Sequence, residues 1–113
     1  MLGVGGSVRV FVYAGPCDMR RLMNGLSTMV REELGHDPQG GDLFVFRNRR
    51  GDMIKVLFYD RGGYCLLAKR LEKGRFRLVL ARAAEGEAVE VTHRELASLL
   101  ANAEIVQNAQ RAA

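Results

Sequence analysis

The chain has no tryptophan, only two cysteines and two histidines, and no long apolar run. Each scarcity removes a class of function. Cys17 and Cys65 stand far apart and form no CxxC pair, so neither a redox motif nor a disulfide framework is expected. Both sit among apolar neighbours and read as small buried thiols, which implies a reducing, cytoplasmic setting. His36 and His93 are remote from each other and from both cysteines, leaving no ligand set at zinc spacing. No segment approaches the ~20 apolar residues that cross a bilayer, so no membrane association is expected. MLGVGGSVRV lacks a basic stretch ahead of an apolar core and does not read as a secretory signal. Its GVGG has no strand before it and no GxxxxGK[ST] pattern, which removes a phosphate loop. No internal repeat is visible.

What is present is a basic chain of one-domain size. Its 113 residues suffice for a single modest core, and 48% hydrophobic with 27% charged residues is ordinary for a globular domain. The net charge is +4 and the pI about 9.5, which favours an anionic partner without bearing on the fold. That charge is concentrated. Between positions 47 and 77 stand Arg47, Arg49, Arg50, Lys55, Arg61, Lys69, Arg70, Lys73, Arg75 and Arg77 against Asp52, Asp60 and Glu72, a local balance of +7.

The same stretch, Leu43 to Leu80, carries the clearest structural signal. LFVF, MIKVLFY, YCLLAK and RFRLVL are apolar runs cut by RNRRGD, DRGG and RLEKG, a pattern of successive strands joined by tight turns. An antiparallel meander of four strands is expected there. Upstream, VRVFVY (8–13) reads as a first strand. Met19, Leu22, Met23, Leu26, Met29, Val30 and Leu34 then recur at spacings of three and four, one face of a helix. Asp18 is placed to cap its start and Gly35 to end it in the left-handed conformation. Gly25 in mid-helix suggests close packing on the sheet. The methionines read as core, with a Met-rich binding surface as the alternative. Downstream, Glu87–Val91 is a last short strand, and Thr92-His93-Arg94-Glu95 is a T-x-x-E capping box opening a helix through Leu96, Leu99, Leu100 and Ala103.

These elements predict an α+β fold: an antiparallel β-meander of about five or six strands with two helices packed on one face. The other face is then left wet and basic. Residues 1–7 are expected as a flexible lead-in, 8–103 as the single domain and 104–113 as a frayed tail.

No catalytic set emerges. Asp18, Asp42, Asp52 and Asp60 all fall at turns or a helix start, where aspartate serves local backbone bonding. A two-metal site needs carboxylates converging on ions ~4 Å apart. Cys65 would need an electropositive, exposed thiol to act as nucleophile, yet YCLLA reads as strand core. No cofactor or metal is expected. The basic meander remains, and Arg47, Arg49, Arg50, Lys55, Arg61, Lys69, Arg70, Lys73 and Arg75 are its candidate nucleic-acid contacts. Phe44, Phe46 and Phe76 are assigned to the core, whereas Tyr59 and Tyr64, beside the DRGG turn, are the exposed aromatic pair. The bland reading of the cations is a solvated face that blocks edge pairing.

Read in order, Asp18-Met19-Arg20, Phe46-Arg47, Arg49-Arg50-Gly51-Asp52, Lys55, Asp60, Cys65, Lys69-Arg70-Leu71 and Gly74-Arg75-Phe76 carry a resemblance. They resemble the small accessory protein of the insertion-sequence sixty-six family. That protein is the TnpB-type product of the second open reading frame in these bacterial elements, distinct from the RNA-guided nuclease sharing that label. The resemblance spans Val8 to Leu100. It departs at Phe58-Tyr59 and Arg77-Leu78, where relatives often carry tryptophan, which weakens any role for indole stacking. The resemblance implies a non-catalytic accessory of transposition, encoded beside a separate transposase, and brings no catalytic residue with it. The expected partners are DNA, bound weakly and non-specifically by this chain alone, together with the companion transposase and other accessory subunits; a homo-oligomer is left open. The alternative is a protein–protein adaptor that docks on the transposase without touching DNA. DNA is favoured because ten cations with few interspersed acids exceed what most protein interfaces need.

Overall fold

The computed structural model describes residues 7–80, 83–101 and 105–107. Its elements run β1 (Val10–Pro16), α1 (Met23–Glu32), β2 (Leu43–Arg47), β3 (Met53–Asp60), β4 (Gly63–Arg70), β5 (Leu78–Leu80), β6 (Ala88–Val91), α2 (His93–Leu100) and β7 (Ile105–Gln107). A five-stranded sheet has the order β4-β3-β2-β1-β6, and β5 pairs with β7 in a separate two-stranded sheet.

The fold is α+β, but the sheet is mixed. β1 and β2 are parallel, with Val10 opposite Leu43 and Val12 opposite Val45. A parallel pair needs a crossover of a dozen or more residues, and the segment containing α1 supplies it. β2, β3 and β4 form the expected antiparallel meander. The fourth run does not join it: Leu78–Leu80 turns away and pairs in parallel with β7. β7 itself lies inside the segment read as a frayed tail. Residues 104 and 108–113 of that tail, residues 1–6 of the lead-in and Ala103 fall outside the described residues.

Both sheet faces are covered, which overturns the expectation of two helices on one face. Alternate residues of the strands feed two cores. Val10, Val12, Val45, Ile54 and Val56 pack with Leu96 and Leu99 of α2 and with Phe76. Phe11, Phe44, Phe46 and Leu57 pack with Leu26, Met29 and Val30 of α1. The helices therefore lie on opposite faces, and among the described residues neither face of the sheet is left as a wet basic surface. In β2 all of Leu43 to Phe46 are buried, as strands covered on both sides require.

The ends of α1 differ from their expectation. The helix begins at Met23, and its N-cap, Leu22, makes no side-chain cap bond. Asp18 instead accepts from the backbone N–H and guanidinium of Arg20 in a local turn. Of the methionine stripe, Met29 is buried, Met19 is half-buried and Met23 is exposed. Gly25 faces the Arg21 side chain, not the sheet: a Cβ there would meet Arg21 Cβ at 3.3 Å. Gly35 does take the left-handed conformation, φ +70°, and lets the His36 N–H return to the Val30 carbonyl. At α2 the capping box forms in full, with Thr92 Oγ1 accepting from Glu95 N–H and Glu95 Oε1 accepting from Thr92 N–H.

Candidate nucleic-acid interface

The β2–β3 turn is built around Asn48. Its side-chain oxygen accepts from the N–H groups of Gly51 and Met53, and its amide donates to Asp52 Oδ1 at 2.7 Å. Gly51 takes φ +79° to close this turn. The chain after β4 then folds back on it: Leu71 N–H donates to Asp52 O and Phe76 N–H to Gly51 O, at 2.8 and 2.7 Å. Phe76, 1% exposed, anchors that loop in the core. Two segments separated by the eighteen residues 53–70 thus become one lobe beyond the ends of β2 and β4.

The lobe gathers Arg49, Arg50, Arg70, Lys73, Arg75 and Arg77, all exposed. Arg50, Lys73 and Arg75 border a shallow cleft of about 160 Å³ with Asp52, Leu71, Glu72 and Gly74. Asp52 titrates below its ordinary range, chiefly through the Asn48 amide and further through Arg50 and Arg70. Among the described residues the ion pairs within 4.0 Å are Arg9–Glu90, Arg20–Asp18 and Arg21–Glu33, so none engages a cation of the lobe.

The remaining candidates are placed elsewhere or occupied. Lys55 is buried, and its ammonium donates to the carbonyls of Met19 and Arg21 at 2.8 and 3.0 Å, tying the approach of α1 to β3. Lys69 donates to the Leu100 carbonyl at the end of α2. Arg47 is half-buried with Nη1 on the Phe76 carbonyl, and burial draws its guanidinium below the usual range. These three hold the fold together. Arg61 sits in the β3–β4 turn at the other end of β3, about 25 Å from the lobe by strand rise. Tyr59 and Tyr64 are at that same far end, half-exposed and edge-to-face at 5.2 Å. Phe44, Phe46 and Phe76 are all in the core. The exposed aromatic pair is thus separated in space from the lobe cations, and the aromatic within the lobe, Phe76, is buried. Arg77, absent from the candidate list, joins the lobe because it directly follows the Phe76 anchor.

Among the described residues no three His, Cys, Asp or Glu side chains converge to hold a metal ion. No described helix is long and apolar enough to cross a membrane. Cys17 is buried and Cys65 half-buried; both are free, and burial pushes the Cys17 thiol up. Asp42, like Asp18, serves the backbone, accepting from Arg9 N–H.

Comparison with known proteins adds the family. The family described as IS66 Orf2 like protein matches residues 8–110. A protein of Sinorhizobium fredii (strain NBRC 101917 / NGR234), y4hO, is 42% identical over 100 residues, 88% of this chain and 84% of its own length. A second from the same strain, y4jC, is 42% identical over 76 residues, 67% of this chain and 65% of its own length. Both bear the description "uncharacterized protein". No solved structure gives a significant match.

Proposed function

The chain belongs to the IS66 Orf2-like family, and from that membership we propose that it is a non-catalytic accessory protein of insertion-sequence transposition that holds DNA through its basic lobe. The observation that carries the DNA part is the docking of the 71–76 loop on the 48–52 turn. It brings six exposed cations to one end of the sheet with no ion-pair partner among the described residues. Arginine forks of this kind suit phosphate oxygens, and contacts to phosphate position a protein without reading sequence.

Titration of duplex DNA at two salt concentrations tests this reading. Affinity should fall steeply with salt, since each neutralised phosphate releases condensed counterions. Binding should also change little between unrelated sequences. Salt-insensitive binding, or none at low salt, would refute it. A pull-down of the companion transposase with and without nuclease then separates DNA bridging from direct protein docking. Capture that survives nuclease, together with a lobe inert toward DNA, would make the lobe a dock for acidic protein surface.

A further inference from the structure

The five-stranded sheet has two edges, β4 and β6. β6 is four residues long and carries Glu90. β4 is different. It runs eight residues, matched to β3 without a bulge from Asp60↔Gly63 to Met53↔Arg70. From Gly63 to Ala68 it has no charge and no proline. Edge strands are ordinarily guarded by charge, proline, bulges or shortness, and this segment has none of them.

The turn sets which groups the edge presents. Arg61 and Gly62, at φ +49° and +85°, make a two-residue hairpin connection whose flanking pair, Asp60 and Gly63, bonds across the hairpin. Alternation then directs the backbone N–H and C=O groups of Tyr64, Leu66, Ala68 and Arg70 outward. Apolar side chains border that row on both faces. Leu67 is 43% exposed on the α2 side beside half-buried Cys65. On the α1 side lie Tyr64, Leu66 and Ala68, with Leu22 and Met23 exposed at the helix start.

We propose that β4 is an interface strand and that its occupant is β4 of a second copy of this chain, antiparallel about a two-fold axis normal to the sheet. Such an axis preserves the faces, so opposed residues must share parity. Centring on Leu66 sets Tyr64 opposite the small Ala68 and Cys65 opposite Leu67, each twice, as a self-complementary interface requires. Charge favours this direction. The far end of β4 carries Lys69, Arg70 and the basic lobe, whereas the turn end carries Asp60 beside Arg61. Antiparallel pairing sets Arg70 of each copy at the turn end of the other, near Asp60, and parts the two lobes. Parallel pairing would crowd them together. The inference does not depend on whether the lobe binds DNA.

Sedimentation equilibrium of the full chain should give twice the 12.6 kDa monomer mass. Leu67→Lys puts a charge in the seam at an exposed position and should return the mass to that of the monomer with unchanged circular dichroism. Should that variant misfold, Ala68→Glu, also at an exposed site, serves the same purpose. The register is tested by Leu67→Cys. In the pairs that do not exchange hydrogen bonds across the seam, side chains approach most closely. Oxidation should therefore link the new thiol to Cys65 of the other copy, giving a covalent dimer that Cys65→Ser abolishes. A monomer at every soluble concentration, a dimer indifferent to both charge variants, or a Leu67→Cys dimer that does not cross-link would overturn the proposal. So would a β4 edge that binds only a strand of another protein.

Discussion

Two sets of cations, made of the same residue types, meet opposite fates in this fold. On the β1–α1 side Arg9 lies against Glu90 at 2.8 Å, Arg20 against Asp18 at 2.7 Å, and Lys55 against two carbonyls. In the lobe, Arg49, Arg50, Arg70, Lys73, Arg75 and Arg77 have no carboxylate within ion-pair distance among the described residues. The first set is committed to holding elements in place; the second remains available to a partner. A count of charges along the chain does not distinguish them, because the difference is made by what each cation meets in the folded chain.

The sharpest way to break this comparison is Lys55→Ala. It removes a buried stem and the donor to Met19 and Arg21, and should cost about 3 kcal/mol in urea unfolding. The folded fraction should bind DNA as before. A loss under about 1 kcal/mol would mean the α1 approach does not need that ammonium.

Arg49→Ala with Arg50→Ala is the reverse experiment. Both residues are exposed, so stability should stay within about 0.5 kcal/mol, while the slope of DNA affinity against salt should fall by up to about two units. Replacing both with Lys should restore only part, since lysine keeps the charge and lacks the fork. Unchanged DNA binding in the double Ala variant would reduce the turn to a solubilising edge.

Thr92→Ala separates stability from binding at a site outside the lobe. Loss of the N-cap acceptor should cost about 1 kcal/mol, read as a lower thermal midpoint, with the salt slope unaltered. An unaltered midpoint would show that the capping box is not what starts α2.

The smallest effect is the acid titration of the paired side. Hydrogen bonds from Arg20 lower Asp18 to about 2 from its ordinary 3.8. A lowered carboxylate stabilises the fold fully above its unfolded pKa, and the contribution disappears as pH falls through the folded value. The window therefore runs from about pH 4 down to pH 2, and exposure keeps the effect slight. NMR titration should place Asp18 near that low value and return it to the ordinary range in Arg20→Ala. An Asp18 midpoint that Arg20→Ala leaves in place would remove the pair.

Much of the local structure was legible because it is decided over a few residues. The T-x-x-E box, the left-handed Gly35, the hairpin at Arg61-Gly62, the meander of β2 to β4 and the core roles of Phe44, Phe46 and Phe76 all follow from side-chain chemistry near their own backbone. LFVF also held an unread signal. Four consecutive buried residues without alternation mark a strand covered on both faces, which already argued against a wet sheet surface. The tertiary structure alone decided the rest. Periodicity states that β1 is a strand and α1 a helix, but not that the chain crosses over to make β1 and β2 parallel. Nor does it state that α1 and α2 lie on opposite faces. Strand partners and helix sides are settled by contacts between residues distant in sequence. The same contacts bury Lys55, occupy Lys69, half-bury Arg47 and fold 71–77 onto 48–52, turning a basic stretch into a lobe of six exposed cations at one end of the sheet.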